Sequence, residues 1–224
     1  MASDNNTVGE MLGFTVLNAI VKYGVVIPVD QMVKNKAIVG IEIELENTQP
    51  LLLSSWNTTR DGSLRNDGYE YVSAPFVIDS AESVMEELSS NLPRSAVASG
   101  RCGLHVHLNC LDLSIAELRE LATVLYENER YLYSISGNRH ENYHCTPWHG
   151  SCNEVALLKF IKGKIDFNKF QQSCHKYSGI NFVPLRDKGT IEFRMHKGSR
   201  DTKEIINWVN IIANFKNQVV KGVI

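Results

Sequence analysis

Two histidines one residue apart, His105 and His107 in "RCGLHVHLNC", stand between cysteines at 102 and 110. Three glutamates alternate in "VGIEIELEN" (Glu42, Glu44, Glu46), and "GTIEFRMHK" carries Glu192, Arg194 and His196 at the same two-residue spacing. Successive side chains of a strand point to opposite faces, so each stretch places its polar residues on one face. Ile41, Ile43 and Leu45, then Leu104, Val106 and Leu108, then Ile191, Phe193 and Met195 take the other face. In "DGYEYVS", Glu70 sits within a further strand. An antiparallel sheet with one dry and one wet face would show the same alternation, and for any single strand that is the simpler reading. The choice of polar residues argues for more. Carboxylates side by side repel unless positive charge lies between them. Hard divalent cations such as Mg²⁺ and Mn²⁺ supply it through oxygen ligands, with imidazole tolerated by Mn²⁺. An arginine on the same face suits an anionic oxygen such as that of a phosphate.

Zinc is the rival for the Cys/His stretch, because tetrahedral sites want both ligand types converging on one point. On a strand Cys102 and Cys110 have even parity while His105 and His107 have odd parity, so the cysteines point away. The later "HCTPWHGSC" holds His144, Cys145, His149 and Cys152 at a spacing that matches no zinc pattern.

The elements that must position these residues are mixed. Thr7 and Glu10 can form a capping box, and Met11, Phe14, Leu17 and Val21 line one side, which predicts a helix over 7–23. A basic link, "KNK", follows at 34–36. Strand-like runs cover 37–46, 50–56 and 68–73. Asp79 and Glu82 can cap a helix that ends before Pro93. Ser114 and Glu117 open the strongest helix, with Leu118, Leu121, Leu125 and Leu132 on its apolar side. A shorter helix is expected over 166–177, a strand over 189–197, and a final helix from about Thr202 carrying Ile205, Ile206, Trp208, Val209 and Ile212. Residues 138–165 read mostly as loop.

Composition narrows the function classes. Hydrophobic residues make up 43% and charged residues 21% of 224 residues, with a net charge of −2. That suits a globular domain and gives no basic surface for nucleic acid. The N-terminus has no positive region ahead of an apolar stretch, so no secretory signal is expected. No apolar run reaches the ~20 residues of a membrane span. Five cysteines without a CxxC pair suggest reduced thiols in a cytoplasm.

Five stretches together resemble the amidoligase family, small relatives of glutamine synthetase and glutamate–cysteine ligase. They are "GIEIELE" (40–46), "DGSLRNDGYEYVSAPF" (61–76), "CGLHVHLN" (102–109), "NRHENYHC" (138–145) and "GTIEFRMHKGSRD" (189–201). They follow the family's order and span about residues 38–212. The resemblance implies an α+β, glutamine synthetase-like catalytic fold over 37–224: a curved antiparallel sheet with helices on its outer face, behind an N-terminal helical extension (1–36). It implies ATP with Mg²⁺ or Mn²⁺ as cofactors. Glu42 and Glu44 would bind different metals, Asp61 and Glu70 completing one site, His105 and Glu192 the other. His107 would lie near the ATP phosphates, and Arg194 would neutralise the transferred phosphoryl group or hold the substrate carboxylate. Arg139 and Tyr143 are further phosphate or substrate candidates. The implied activity joins a small-molecule or peptide carboxylate to an amine through an acyl phosphate. The absence of a GxxxxGK[ST] loop, and of a nucleophile with a base partner, agrees with that chemistry. A guanidino kinase-like phosphotransferase of the same superfamily would share every metal residue, and a catalytically silent binding module would retain the fold. The N-terminal helix could pack on the sheet's helical side or support an oligomer.

Overall fold

In the computed structural model, residues 4–12, 37–137 and 139–222 are described. Seven antiparallel strands form one sheet, in the order β2-β3-β1-β5-β7-β6, with β4 also pairing β1. They are β1 (Ile38–Leu45), β2 (Trp56–Arg60), β3 (Tyr69–Ser73), β4 (Phe76–Val77), β5 (Gly103–Asn109), β6 (Ile180–Asn181) and β7 (Thr190–Lys197). Strands β3 and β4 lie along the same edge of β1. Between them stands Pro75, which has no N–H for the ladder.

The expected apolar face forms. Ile41, Ile43, Leu45, Leu104, Val106, Leu108, Ile191 and Phe193 are all buried in one core. Each such side chain contributes roughly 1.5–3 kcal/mol by leaving water. The longest helix, Thr202–Val220, lies against β1 and β5. It turns Ile205, Trp208, Val209 and Ile212 inward, and Asp201 caps it by accepting from the Lys203 and Glu204 N–H groups. Helices Ala81–Asn91 and Ile115–Glu127 flank it. Ser114 and Glu117 form the expected capping box, but Asn128 breaks the run, and Leu132 belongs to the next helix, Glu129–Ile135.

Thr7 and Glu10 also form their box, ahead of a short helix at Val8–Met11. Phe14, Leu17, Val21 and the link at 34–36 lie outside the described residues. The described N-terminal piece is part of the core: Val8 is fully buried, and its N–H donates to the Leu113 carbonyl at 2.8 Å.

Four expectations need correction. The edge strand is Trp56–Arg60, not 50–56. Leu52 is fully exposed, and Trp56 is the side chain that reaches the core, donating from Nε1 to the Val84 carbonyl at 3.0 Å. Asp79 falls in a 3-10 turn (Ile78–Ser80), so the helix it was expected to open starts at Ala81 without a side-chain cap. Within 138–165 there is a helix at Glu154–Ile161, whose Phe160 stacks on Phe170 of helix Phe167–Ser173 (4.3 Å, 7°). Finally, a register shift between Leu104 and Val106 inverts the end of β7. Phe193 stands opposite Val106, but His196 stands opposite Leu104 and packs against Trp208 (5.0 Å), on the helical side of the sheet. Among the described residues no helix is long and apolar enough to cross a membrane.

Ser114→Ala should cost about 1 kcal/mol of unfolding free energy through the lost cap. Urea denaturation checks it, and an unchanged midpoint would mean that the hydroxyl bond to the Glu117 N–H contributes nothing.

Candidate active site

The polar face is built by register. β1 runs between β3 and β5, so Glu42 stands beside His105, and Glu44 stands beside Glu70. Across β5, His107 pairs with Glu192, and on the far side of β7, Glu192 pairs with Asn181. A wet sheet face would leave these groups exposed. Instead His105 and Glu192 are each 4% exposed, and Glu44 and His107 each 8%. Burial of carboxylates demands partners, and the partners found are mainly each other.

His105 is the hub. Its Nδ1 lies 3.2 Å from Glu42 Oε2 and 3.6 Å from Glu192 Oε1, while its Nε2 lies 3.9 Å from Glu44 Oε1. His107 bonds Thr190 Oγ1 through Nδ1 (2.9 Å) and Glu42 Oε1 through Nε2 (3.0 Å). Glu44 accepts from the Gly103 N–H at 2.5 Å. Glu192 accepts from Asn181 Nδ2 at 2.7 Å and from Arg194 Nη1. Burial alone would raise the Glu42 carboxyl, but the His105 and His107 hydrogen bonds outweigh it and hold it well below the usual range. Burial likewise works against ionised Glu192, which His105, His107 and Arg194 nonetheless keep below the ordinary carboxylate value. For His105, burial opposes the charged ring, and the hydrogen bond to Glu42 prevails and raises it. Glu70 has no such relief. Burial first, then the Glu42 charge, push it up to about 7, with Glu44 and Asp61 adding to the rise and His105 opposing it.

Two groups of donor atoms lie within 4.8 Å of one another: Glu42, His105 and Glu192, and Glu44, Glu70 and His105. Carboxylate oxygens with one imidazole form a donor set for a hard divalent cation. The displaced Glu70 titration is what a carboxylate cluster short of positive charge shows. Asp61 stands apart from both groups. It follows β2, accepts from the Ser63 N–H at 2.8 Å, and is felt by Glu70 only as a nearby charge. Glu46, on the same strand face as Glu42 and Glu44, turns to the Arg65 N–H (2.8 Å) and stays outside the clusters.

A pocket of about 340 Å³ adjoins the first cluster. Glu42, His107 and Glu192 line it together with three cations, Lys176, Lys188 and Arg194. Lys188 Nζ is 3.7 Å from Glu42 Oε1, and Arg194 Nε donates to the His144 carbonyl at 3.2 Å. The remaining candidates are peripheral to this pocket. Arg139 donates from Nη1 to the His196 carbonyl at 3.0 Å, near the second cluster. Tyr143 is exposed and meets Tyr177, a lining residue, at 5.5 Å between ring centroids. Cys102 and Cys110 are buried outside both donor groups, Cys102 beside Ser99 Oγ (3.6 Å) and Cys110 beside the Leu108 carbonyl (3.5 Å). In the later Cys/His stretch, His149 bonds buried Glu129 at 2.8 Å.

Residues 52–215 match the family described as "Putative amidoligase enzyme". The chain belongs to the amidoligase family. No curated protein matches it. The amidoligase match begins after β1, yet Glu42 and Glu44 of β1 lie between the matched strands β3 and β5, in ladder with both. Sequence reasoning missed Lys176, which follows helix Phe167–Ser173 in a turn with no period, and three more residues: Asn181, Lys188 and Thr190. Thr190 shares parity with Glu192, which was a usable signal. The other two sit on a two-residue strand and a one-turn helix (Leu185–Lys188) that leave almost no periodicity to read.

The Glu70 shift has a measurable sign. Its pKa is raised in the fold, from 4.5 to about 7, so the folded chain holds a proton that the unfolded chain releases. The associated stability is fully present below 4.5 and is lost as pH rises through about 7. In chelator-treated protein, wild type should therefore lose unfolding free energy relative to Glu70→Gln across that interval. Parallel urea profiles for the two proteins would refute the strained carboxylate.

Proposed function

We propose that this chain is an ATP-dependent carboxylate–amine ligase that works through an acyl phosphate, on a glutamine synthetase-like sheet. The observation that carries the reading is the buried acid–histidine face opening on a pocket with three cations, in a member of the amidoligase family. The antiparallel sheet, with its longest described helix on the apolar side and its acids and histidines on the other, supports the fold assignment. The catalytic unit starts at residue 37, with residues 4–12 docked on it. Five free thiols suit a reducing cytoplasm.

Glu42, His105 and Glu192 would hold one divalent cation, and Glu44, Glu70 and His105 the other, with Asp61 as an outer charge. The ions would neutralise phosphate oxygens during phosphoryl transfer. The chain's own groups do the rest. Lys176, Lys188 and Arg194 would bind the polyphosphate of ATP, with His107 beside it and Tyr143 at the rim. Arg194 is steered by Glu192 and the His144 carbonyl, and its planar fork can grip two oxygens of the transferred group or of the acid. Arg139 offers a second guanidinium for an anionic substrate. The carboxylate takes the γ-phosphoryl group and ADP leaves. The amine nitrogen then attacks the acyl carbon, forming the amide as inorganic phosphate departs and the amine loses a proton. Burial excludes water from the acyl phosphate.

Glu44→Ala should abolish Mg²⁺- or Mn²⁺-dependent ATP binding in calorimetry while the chain still folds, because relief of repulsion with Glu70 offsets part of the roughly 1–3 kcal/mol lost with the Gly103 N–H bond. A destabilised variant that still binds Mg²⁺–ATP would make Glu44 structural.

The reaction itself is tested with hydroxylamine, a small nucleophile that intercepts acyl phosphates. With ATP, Mg²⁺ and a panel of amino acids and peptides as the acid, hydroxamate should form together with ADP and phosphate. Arg194→Lys should slow this severely, since lysine keeps the charge and loses the fork. Release of AMP would mean adenylation instead. A phosphorylated product inert to hydroxylamine would favour the phosphotransferase, and no ATP turnover would favour the silent module.

A further inference from the structure

Gly103 opens β5 at the edge of the second cluster. A Cβ on it would lie 2.7 Å from His105 Nε2, 2.8 Å from Arg139 Nη1 and 3.3 Å from Glu44 Oε2. Its φ is not in the left-handed region, so the backbone conformation does not call for glycine there. Other tight glycines of the chain give way to packing: a Cβ at Gly179 would strike the Tyr133 ring, and one at Gly198 would strike Cys102. At Gly103 the three nearest atoms all belong to ionisable side chains of the site.

We propose that Gly103 is a positioning residue: its missing side chain keeps the His105 Nε2 edge, Glu44 and Arg139 around a common space, and so keeps the Glu44–Glu70–His105 cluster open to a divalent cation of its own. The inference rests on the two-cation reading above and adds what separates the two sites. His105 belongs to both clusters, with Nδ1 toward Glu42 and Glu192 and Nε2 toward Glu44. Of the His105 ring, a methyl group at 103 meets only the Nε2 edge. The Cβ is under 3 Å from both the ring nitrogen and Arg139 Nη1, so the ring turns away on that edge and Arg139 withdraws, while Glu42 still holds Nδ1. The second cluster is lost and the first survives.

The test is Mn²⁺ titration of the full chain without nucleotide, counting free ion by its electron paramagnetic resonance signal, together with ¹⁵N spectra of the His105 ring in metal-free protein. Wild type should bind two ions per chain and Gly103→Ala one, with the Nε2 resonance displaced and the Nδ1 bond to Glu42 kept. Gly100→Ala, where a Cβ meets nothing within 4 Å, should match wild type in both measurements. Two ions and an unmoved His105 ring in Gly103→Ala would overturn the proposal. If wild type itself binds fewer than two ions, the two-cation reading fails, and the His105 spectrum alone decides whether Gly103 positions the ring. Should Gly103→Ala not fold, the same measurements on Gly103→Ala combined with Arg139→Ala decide, since that pair opens one side of the space. If neither variant folds, Gly103 serves the strand and the proposal is wrong.

Discussion

Everything on the polar face follows from one constraint: carboxylates held out of water in mutual contact need positive charge among them. Here that need is met only in part by the chain. His105 and His107 serve Glu42, Arg194 serves Glu192, and the Gly103 N–H serves Glu44. Glu70 is left to titrate near neutrality. A structural ion-pair network would be expected to close on itself, because an unpaired buried charge costs several kcal/mol. The antiparallel ladder fixes this arrangement rather than the side chains choosing it. Sliding β1 by one residue against β5 would send Ile41 and Ile43 to the polar side and the glutamates into the core. The apolar face therefore enforces the register that crowds the acids.

The ends of β5 show how that register is held. At its start the Glu44 carboxylate receives the Gly103 N–H. At its end buried Lys216, from the last helix, donates to the Asn109 carbonyl at 2.8 Å and to Asp112 at 2.5 Å. The next residue, Cys110, donates its N–H to the carbonyl of Gly189, a left-handed residue that closes one helical turn just before β7. The strand carrying both histidines is thus anchored at both ends, on opposite faces of the sheet. Rings fixed in this way hold their nitrogens on one set of oxygens, which is what a metal- or phosphate-handling site requires before its ligand arrives.

Much of this was legible in the sequence because a strand's period is two residues. The alternation in β1, β5 and β7 puts Glu42, Glu44, His105, His107, Glu192 and Arg194 on one face, and paired capping residues mark the helices opened by Thr7 and Ser114. What failed did so where period ceases to be informative. His196 was put with Arg194 by parity, and a bulge that parity cannot see sent it to Trp208. The run 50–56 is rich in leucine, but apolar content is not a ladder, and pairing with Tyr69–Ser73 selected Trp56–Arg60. The helix at Glu154–Ile161 makes only about two turns, too few for its stripe to stand out from the polar stretch before it. Asn181 and Lys188 reach the site from elements shorter still.

The two faces of the sheet divide the labour. Stability resides in the apolar face, where Ile43, Val106 and Phe193 meet the helices, while the opposite face carries at Glu70 a repulsion that the fold tolerates. Removing Glu70 from the polar face would relieve the fold at neutral pH, whereas Glu42 and Glu192 are held ionised by their partners; removing an aliphatic residue from the other face opens a cavity at a cost of roughly 2–5 kcal/mol. The gathering of four acids around one imidazole and beside three cations is the argument that they answer to a ligand rather than to the fold.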